Sequence, residues 1–225
     1  MASAALPQKS QKSQPTRMTA ENRRQQIVEV AAELFSQKGF RGTTTKEIAD
    51  GASVSEAIIF RHFATKDDLY RAILDHKVKQ ATDRMKQNLD EAASRKDDDA
   101  YFGSLAYEML EFHRKDRTFM RLLLFSALEG HDLSEIFFHS TAREMKNQIR
   151  RYIKQRIGDG AFRSIDPAVA ARAFVGMVLN QAQVRNIFRD DDLRFSNHQM
   201  ADRFVDIFLS GIRKPGHRGS RPARG

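Results

Sequence analysis

The stretch from Thr44 to Phe63, TTKEIADGASVSEAIIFRHF, constrains this chain more than any other. Thr44 can N-cap a short helix while Glu47, three residues on, closes the reciprocal capping box, and Ile48 and Ala49 supply a buried side. Gly51, Ala52, Ser53 and Val54 make a corner of small residues, after which Ser55 caps a second helix with Ile59 and Phe63 one turn apart on one face. Two short helices around such a corner form a helix-turn-helix. With Ile59 and Phe63 inward, the 3.6-residue period turns Ala57 and Arg61 outward and puts Ile58 and Phe60 on the flanks. An outward face of this kind can enter a DNA major groove.

The flanking sequence supplies braces for that motif. A helix should begin near Thr19 and run to Lys38, with Ile27, Ala31, Leu34 and Phe35 as one apolar stripe. Gly39 stops it at the left-handed position glycine accepts best, and Phe40 can fold back onto the core. Beyond the motif, Thr65 caps a fourth helix whose first turn carries Asp67 and Asp68, where negative charge meets the positive end of the dipole. The helical pattern continues from Tyr70 through Leu74 to Leu89, so the fourth helix is long and joins the reading head to the rest of the chain.

On IVEVAAELFSQKGFRGTTTKEIA, VSEAIIFRHF and ATKDDLY, the segment from Gln26 to Tyr70 resembles the N-terminal domain of the TetR family of transcriptional regulators. The Gly39-Phe40 stop, the Thr pair, the Phe63 terminus and the Thr65-Lys66 restart stand in that family's order and spacing. The chain departs from the pattern at Phe60, where the family usually has Tyr, at Ile58, where it has a small hydroxyl residue, and at Ser53, where it has Gly. The resemblance implies Thr44, Thr45, Ser55, Ala57, Ile58, Phe60, Arg61, His62 and Lys66 as the DNA-binding residues. Phe60, lacking the hydroxyl that would meet a phosphate, is carried over as an apolar contact only. Lys66 is a cation at a helix N-terminus, where its charge is locally unfavourable, and is expected to face a phosphate. The fold implied is all-α, a three-helix DNA-binding domain followed by a larger helical ligand-binding and dimerisation domain. The implied function is that of a sequence-specific homodimeric repressor, released from a palindromic double-stranded DNA operator by a small apolar or amphipathic effector.

Charge, read along the chain, narrows how DNA could be held. The net charge is +9, yet residues 20–70 carry 7 Lys and Arg against 8 Asp and Glu, while residues 213–225 carry 5 cations and no carboxylate. Affinity must then come from a few placed cations and helix N-termini, with the tails as auxiliaries. Residues 1–18 and 213–225 are expected as disordered basic tails, 19–70 as the DNA-binding domain and 71–212 as the ligand-binding and dimerisation domain.

Other classes are disfavoured. Without cysteine, disulfides and thiolate metal sites are excluded, which fits a cytoplasmic location. There is no run near the roughly 20 apolar residues a bilayer needs, so no membrane partner is expected. Nucleotide-loop, zinc-protease and serine-hydrolase signatures are missing, so neither an enzyme nor a cofactor is expected. The acidic runs Asp97 to Asp99 and Asp190 to Asp192 read as solvated loops rather than metal sites.

The later helices are expected at 101–115, 117–128, 133–157, from Asp166-Pro167 onward, and 197–212, with a loop over 94–99. Met109, Phe112, Met120, Leu124, Met177 and Gln181 are the candidate ligand pocket, because Phe and Met suit an adaptable apolar cavity. Glu108, His113, His139, Asn180 and Gln181 are polar residues in apolar stretches that could orient a ligand, although Arg114 and Lys115 beside His113 point it to the surface. The last two long helices are apolar on two sides and so have two partners, which makes Phe174, Val178, Phe204 and Phe208 candidates for a dimer interface. Two alternatives remain from the residues alone: a dimeric ligand-binding or enzymatic bundle without operator specificity, and a sequence-tolerant architectural DNA binder using its tails.

Overall fold

A computed structural model describes residues 18–190 and 192–215; the expected disordered tails lie almost wholly outside the described residues. Ten α-helices are described: α1 (Ala20–Lys38), α2 (Thr45–Gly51), α3 (Glu56–His62), α4 (Lys66–Ser94), α5 (Asp98–Lys115), α6 (Arg117–Glu129), α7 (Asp132–His139), α8 (Thr141–Gly158), α9 (Pro167–Gln183) and α10 (Asn197–Ile212). A single π-helical turn, Val184–Phe188, extends α9. The all-α expectation holds.

Local chemistry sets most helix ends. Thr44 and Glu47 close a capping box at α2, Thr65 and Asp68 another at α4, and Ser196 and Gln199 a third at α10. Gly39 ends α1 at φ 75°, in the region that favours glycine. Ser53 occupies φ 52° in the corner between α2 and α3, so the hydroxyl residue stands where a glycine would be unstrained.

Two expectations on helix ends are corrected. The single helix over 133–157 is two, parted at Ser140, whose backbone leaves the helical region while its hydroxyl donates to the Ile136 carbonyl at 2.6 Å. The break lets α7 fold against α6 and α4. The loop over 94–99 is shorter than expected, because Asp97 caps α5 and Asp98 and Asp99 are helical. Nor is that acidic run solvated. Asp98 is 4% exposed and accepts from Arg156 Nε at 2.7 Å, Arg156 Nη2 at 3.1 Å and the Tyr152 hydroxyl at 2.7 Å, while Asp99 pairs with Arg213. Charge in the sequence signalled exposure, whereas Arg156, 58 residues away, makes burial tolerable.

Two apolar cores meet at α6. The first gathers Ile27, Phe35, Ile48, Ile59, Phe63, Leu69 and Tyr70 from α1 to α4, and it includes Phe119 and Leu122 of α6. Each fully buried side chain of this kind contributes about 1.5–3 kcal/mol. The second core is built on Phe102, Leu105, Tyr152, Phe174, Val178 and Phe208, with Met120 of α6 joining it.

Polar contacts fasten α6 and the turn after it to the first core. Arg121 Nε donates to the Ser36 carbonyl at 2.6 Å, and the Tyr70 hydroxyl donates to the Leu122 carbonyl at 3.1 Å. The Glu129 carboxylate accepts from the Phe40 and Arg41 backbone N–H groups at 2.9 and 3.4 Å. It lies so close over Gly39 that a Cβ there would collide with it. His131 reaches Asp67 at 3.0 Å and packs on Phe40, with ring centroids 4.3 Å apart.

Candidate DNA-reading surface and ligand cavity

The outward face of α3 is set by what the helix buries. Ile59 and Phe63 are 2% and 4% exposed, so Ala57, Phe60 and Arg61 stand in solvent and Ile58 is half-buried. Phe60 presents an apolar ring to solvent beside Arg61. Ser55 is exposed at the N-cap position of α3 but, against expectation, makes no side-chain cap bond there. His62 is half-buried.

The remaining candidates are committed inside the chain to different degrees. The Thr44 hydroxyl and N–H both engage Glu47, and the Thr45 hydroxyl donates to Glu56 at 2.6 Å, tying the start of α2 to that of α3. Lys38 beside Glu47, with Thr44, holds that carboxyl down at about 2, so the box stays ionised and closed at neutral pH. Lys66 differs most from expectation. Its ammonium donates to the Phe40 carbonyl and lies 4.3 Å from the Phe40 ring centroid, and burial pulls its pKa below the usual lysine value. The cation misplaced at the helix N-terminus is satisfied by a carbonyl and a π-face within the protein.

A cavity of about 460 Å³ opens between α5, α6, α7, α8 and α9. Met109, Phe112, Met120 and Leu124 line it as expected, joined by Phe119, Leu123, Phe137, Phe138 and Met145. Met177 and Gln181 do not. The face of α9 that reaches the cavity is Val175, Leu179 and Gln183, at i, i+4 and i+8, and residues two positions out of that phase point away. Periodicity could not choose between these faces, because both sides of α9 are apolar.

Among the polar candidates, Glu108 and His113 line the cavity, while His139 and Asn180 are exposed. His113 overturns its surface reading. It is 7% exposed despite its charged neighbours, because Arg114 and Lys115 fall on the other side of the helix. Burial pushes its imidazole from 6.5 down to about 4, against a smaller opposing influence of Asp116. The unfolded chain therefore binds a proton that the folded one refuses between those values. The resulting stability is complete above pH 6.5 and is lost as pH falls through 4, reaching about 3 kcal/mol. Urea melts across that window should show the loss, and His113→Leu should flatten it. Glu47 and Glu111, both held at about 2, act at lower pH.

The dimer candidates are also displaced in phase. Phe174, Val178 and Phe208 are buried within the chain and Phe204 is half-buried, so they form the core rather than an outer face. Outward on α9 lie Val169, Ala173, Gly176 and Asn180, and outward on α10 lies Ile207; Val169 and Ile207 are 66% and 63% exposed. No helix among the described residues is long and apolar enough to cross a membrane, and no metal-binding cluster occurs among them.

Comparison with known proteins agrees with this arrangement. Residues 27–73 match the family described as bacterial regulatory proteins, tetR family, and residues 104–211 match the AefR-like transcriptional repressor C-terminal domain. The chain is 29% identical over 188 residues to the HTH-type transcriptional regulator YvkB of Bacillus subtilis, covering 83% of this chain and 95% of that one. It is 26% identical to the HTH-type transcriptional repressor KstR2 of Mycobacterium tuberculosis, over 87% of this chain and 95% of that protein. Its fold is similar to that of AibR, solved in complex with isovaleryl coenzyme A and operator DNA, with a TM-score of 0.64 at 22% identity over 82% of this chain and 97% of AibR. With a helix-turn-helix head matched at one end and a repressor-type helical domain at the other, the chain belongs to the TetR family of transcriptional regulators.

Proposed function

We propose that this protein is a homodimeric repressor that reads a palindromic operator with α3 and leaves it when a small, largely apolar molecule fills the cavity. The observation that carries this reading is the double use of α6. Phe119, Met120, Leu123, Leu124 and Ala127 line the cavity, while Arg121, Leu122 and Glu129 of the same helix hold the head at Ser36, Tyr70, Phe40 and Arg41. A ligand that displaces α6 cannot leave the head where it was. In a symmetric dimer two heads must meet half-sites about one turn of DNA apart, or a multiple of that, so a small tilt of each spoils the register. Ligand and operator then oppose each other by about 1–3 kcal/mol of coupling, and reciprocity requires the same factor in both directions. KstR2 is named a repressor and AibR is solved with both a coenzyme A thioester and operator DNA, which supports this division of labour.

Selection of bound sites from a random DNA pool tests the reading. A two-fold symmetric consensus is expected, and binding without sequence preference would sink it.

The dimer contact assigned to this assembly is the outer face of α9 and α10, with Val169, Ala173, Gly176 and Ile207 against the same residues of a second copy. Ile207→Glu should weaken dimerisation by about 2 kcal/mol or more, because each copy buries an unpaired charge. Sedimentation decides: a folded variant that dimerises like the parent removes α10 from the interface.

A further inference from the structure

We propose that a second, polar cleft, where α5 ends and α6 begins, binds a phosphoryl anion of two or more negative charges through the guanidinium groups of Arg114, Arg117, Arg185 and Arg189. The cleft is about 700 Å³ in volume, and Glu111 and Asn197 also line it. Three separate segments bring the arginines together. Arg114 comes from the last turn of α5, Arg117 opens α6, and Arg185 and Arg189 come from the π-helical turn after α9 and the residue that ends it. Arg189 holds its place at φ 60°, a left-handed conformation uncommon for a residue with a side chain.

Like charges gathered in one concave place repel one another, and the lining supplies little to offset them. Glu111 is its one carboxylate among the described residues, and it is already occupied. It accepts from Arg114 Nε at 2.9 Å, Arg114 Nη2 at 2.8 Å and Asn197 Nδ2 at 2.7 Å. Asn197, 7% exposed, accepts in turn from Arg185 Nη1 at 3.1 Å, so one wall of the cleft is fixed by a chain of hydrogen bonds. Arg117 and Arg189 are exposed and make no hydrogen bond or ion pair among the described residues. Arg117 also stands at the N-terminus of α6, where the helix dipole adds to its positive potential. Four arginines against one glutamate exceed what a single carboxylate charge would balance, and guanidinium forks match phosphate oxygens bidentately.

Such an anion comes either free, as a diphosphate, or as the head of an amphiphile whose tail enters the apolar cavity. The second source rests on the reading of that cavity as the effector site. The same segments line both places, since Phe112, Phe119 and Gln183 of the cavity each stand two residues from Arg114, Arg117 and Arg185 of the cleft.

The test titrates the full chain by calorimetry with inorganic pyrophosphate, methyl phosphate and octyl phosphate. Pyrophosphate should bind, and Arg117→Gln combined with Arg189→Gln should weaken it by about tenfold or more, because two charged donors are lost. Each single substitution serves if the pair destabilises the fold. Arg143→Gln combined with Arg150→Gln removes the same charge from exposed positions of α8 and should leave the affinity unchanged. Octyl phosphate that binds about tenfold or more tightly than methyl phosphate, and needs Arg117 and Arg189, assigns the amphiphile as the source. Equal affinities of those two assign the free anion. Failure of all three probes to bind, or a loss no larger than that of the α8 variant, overturns the inference. So does a parent that binds no probe while the Arg117 and Arg189 variant loses operator affinity, which would give these arginines to the DNA backbone. Octyl phosphate that binds as expected but leaves an operator complex intact keeps the cleft and removes the release mechanism.

Discussion

Arg61→Ala is expected to weaken binding to the selected operator by about 2–6 kcal/mol at matched salt, from about 1–3 kcal/mol at each of two half-sites. Ile59, buried at 2% exposure, fixes the rotation of α3, and Arg61 then projects from the exposed side with Ala57 one turn before it. A guanidinium projecting from a helix of this kind can pair bidentately with a guanine edge, a geometry lysine cannot reproduce. Arg61→Lys should therefore recover the charge but only part of the affinity. Binding to scrambled DNA should change much less than binding to the operator, because the non-specific component depends on charge count. Fluorescence anisotropy on both DNAs is the measurement, and unchanged operator affinity in Arg61→Ala would mean that α3 does not read the bases.

Asp98→Ala should cost about 3–5 kcal/mol of folding stability, an effect that no signature in the acidic run announces. Asp98 accepts three hydrogen bonds at the start of α5, two from Arg156 and one from Tyr152, and both charged side chains are shielded from water. Burial, reinforced by Asp98, pushes the Tyr152 hydroxyl well above its ordinary value, so it remains a donor across the accessible pH range. Removing the carboxylate strands Arg156 with Asp159 alone, which lies 2.8 Å from Nη1 at the edge of the site. Truncating both partners together should be milder than removing one, since the desolvated charge leaves with its counter-charge; Asp98→Leu with Arg156→Met is the comparison. Equal thermal midpoints for Asp98→Ala and the parent would show that water reaches this pair.

How legible each feature was depended on the range of the interaction that makes it. The capping boxes at Thr44 and Thr65, the Gly39 stop and the Asp166-Pro167 start were readable because each is made within a few residues of chain, where residue type alone decides geometry. The inward set Ile27, Phe35, Ile48, Ile59 and Phe63 was readable as well, because the 3.6-residue period puts these residues on one face of each helix and leaves Ile58 and Phe60 on the flanks of α3. That much determined a helix-turn-helix head on a long fourth helix. Tertiary structure alone decided the rotation of α9, whose apolar residues fit either phase, so that Val175, Leu179 and Gln183 face the cavity and Phe174 and Val178 the core. It also decided the fate of the charged and titratable groups: Lys66 turned onto the Phe40 carbonyl, Asp98 was buried against Arg156, and His113 was taken into the cavity. Burial of such a group depends on the partner that reaches it, and these partners stand from 26 to 58 residues away along the chain, beyond any local pattern.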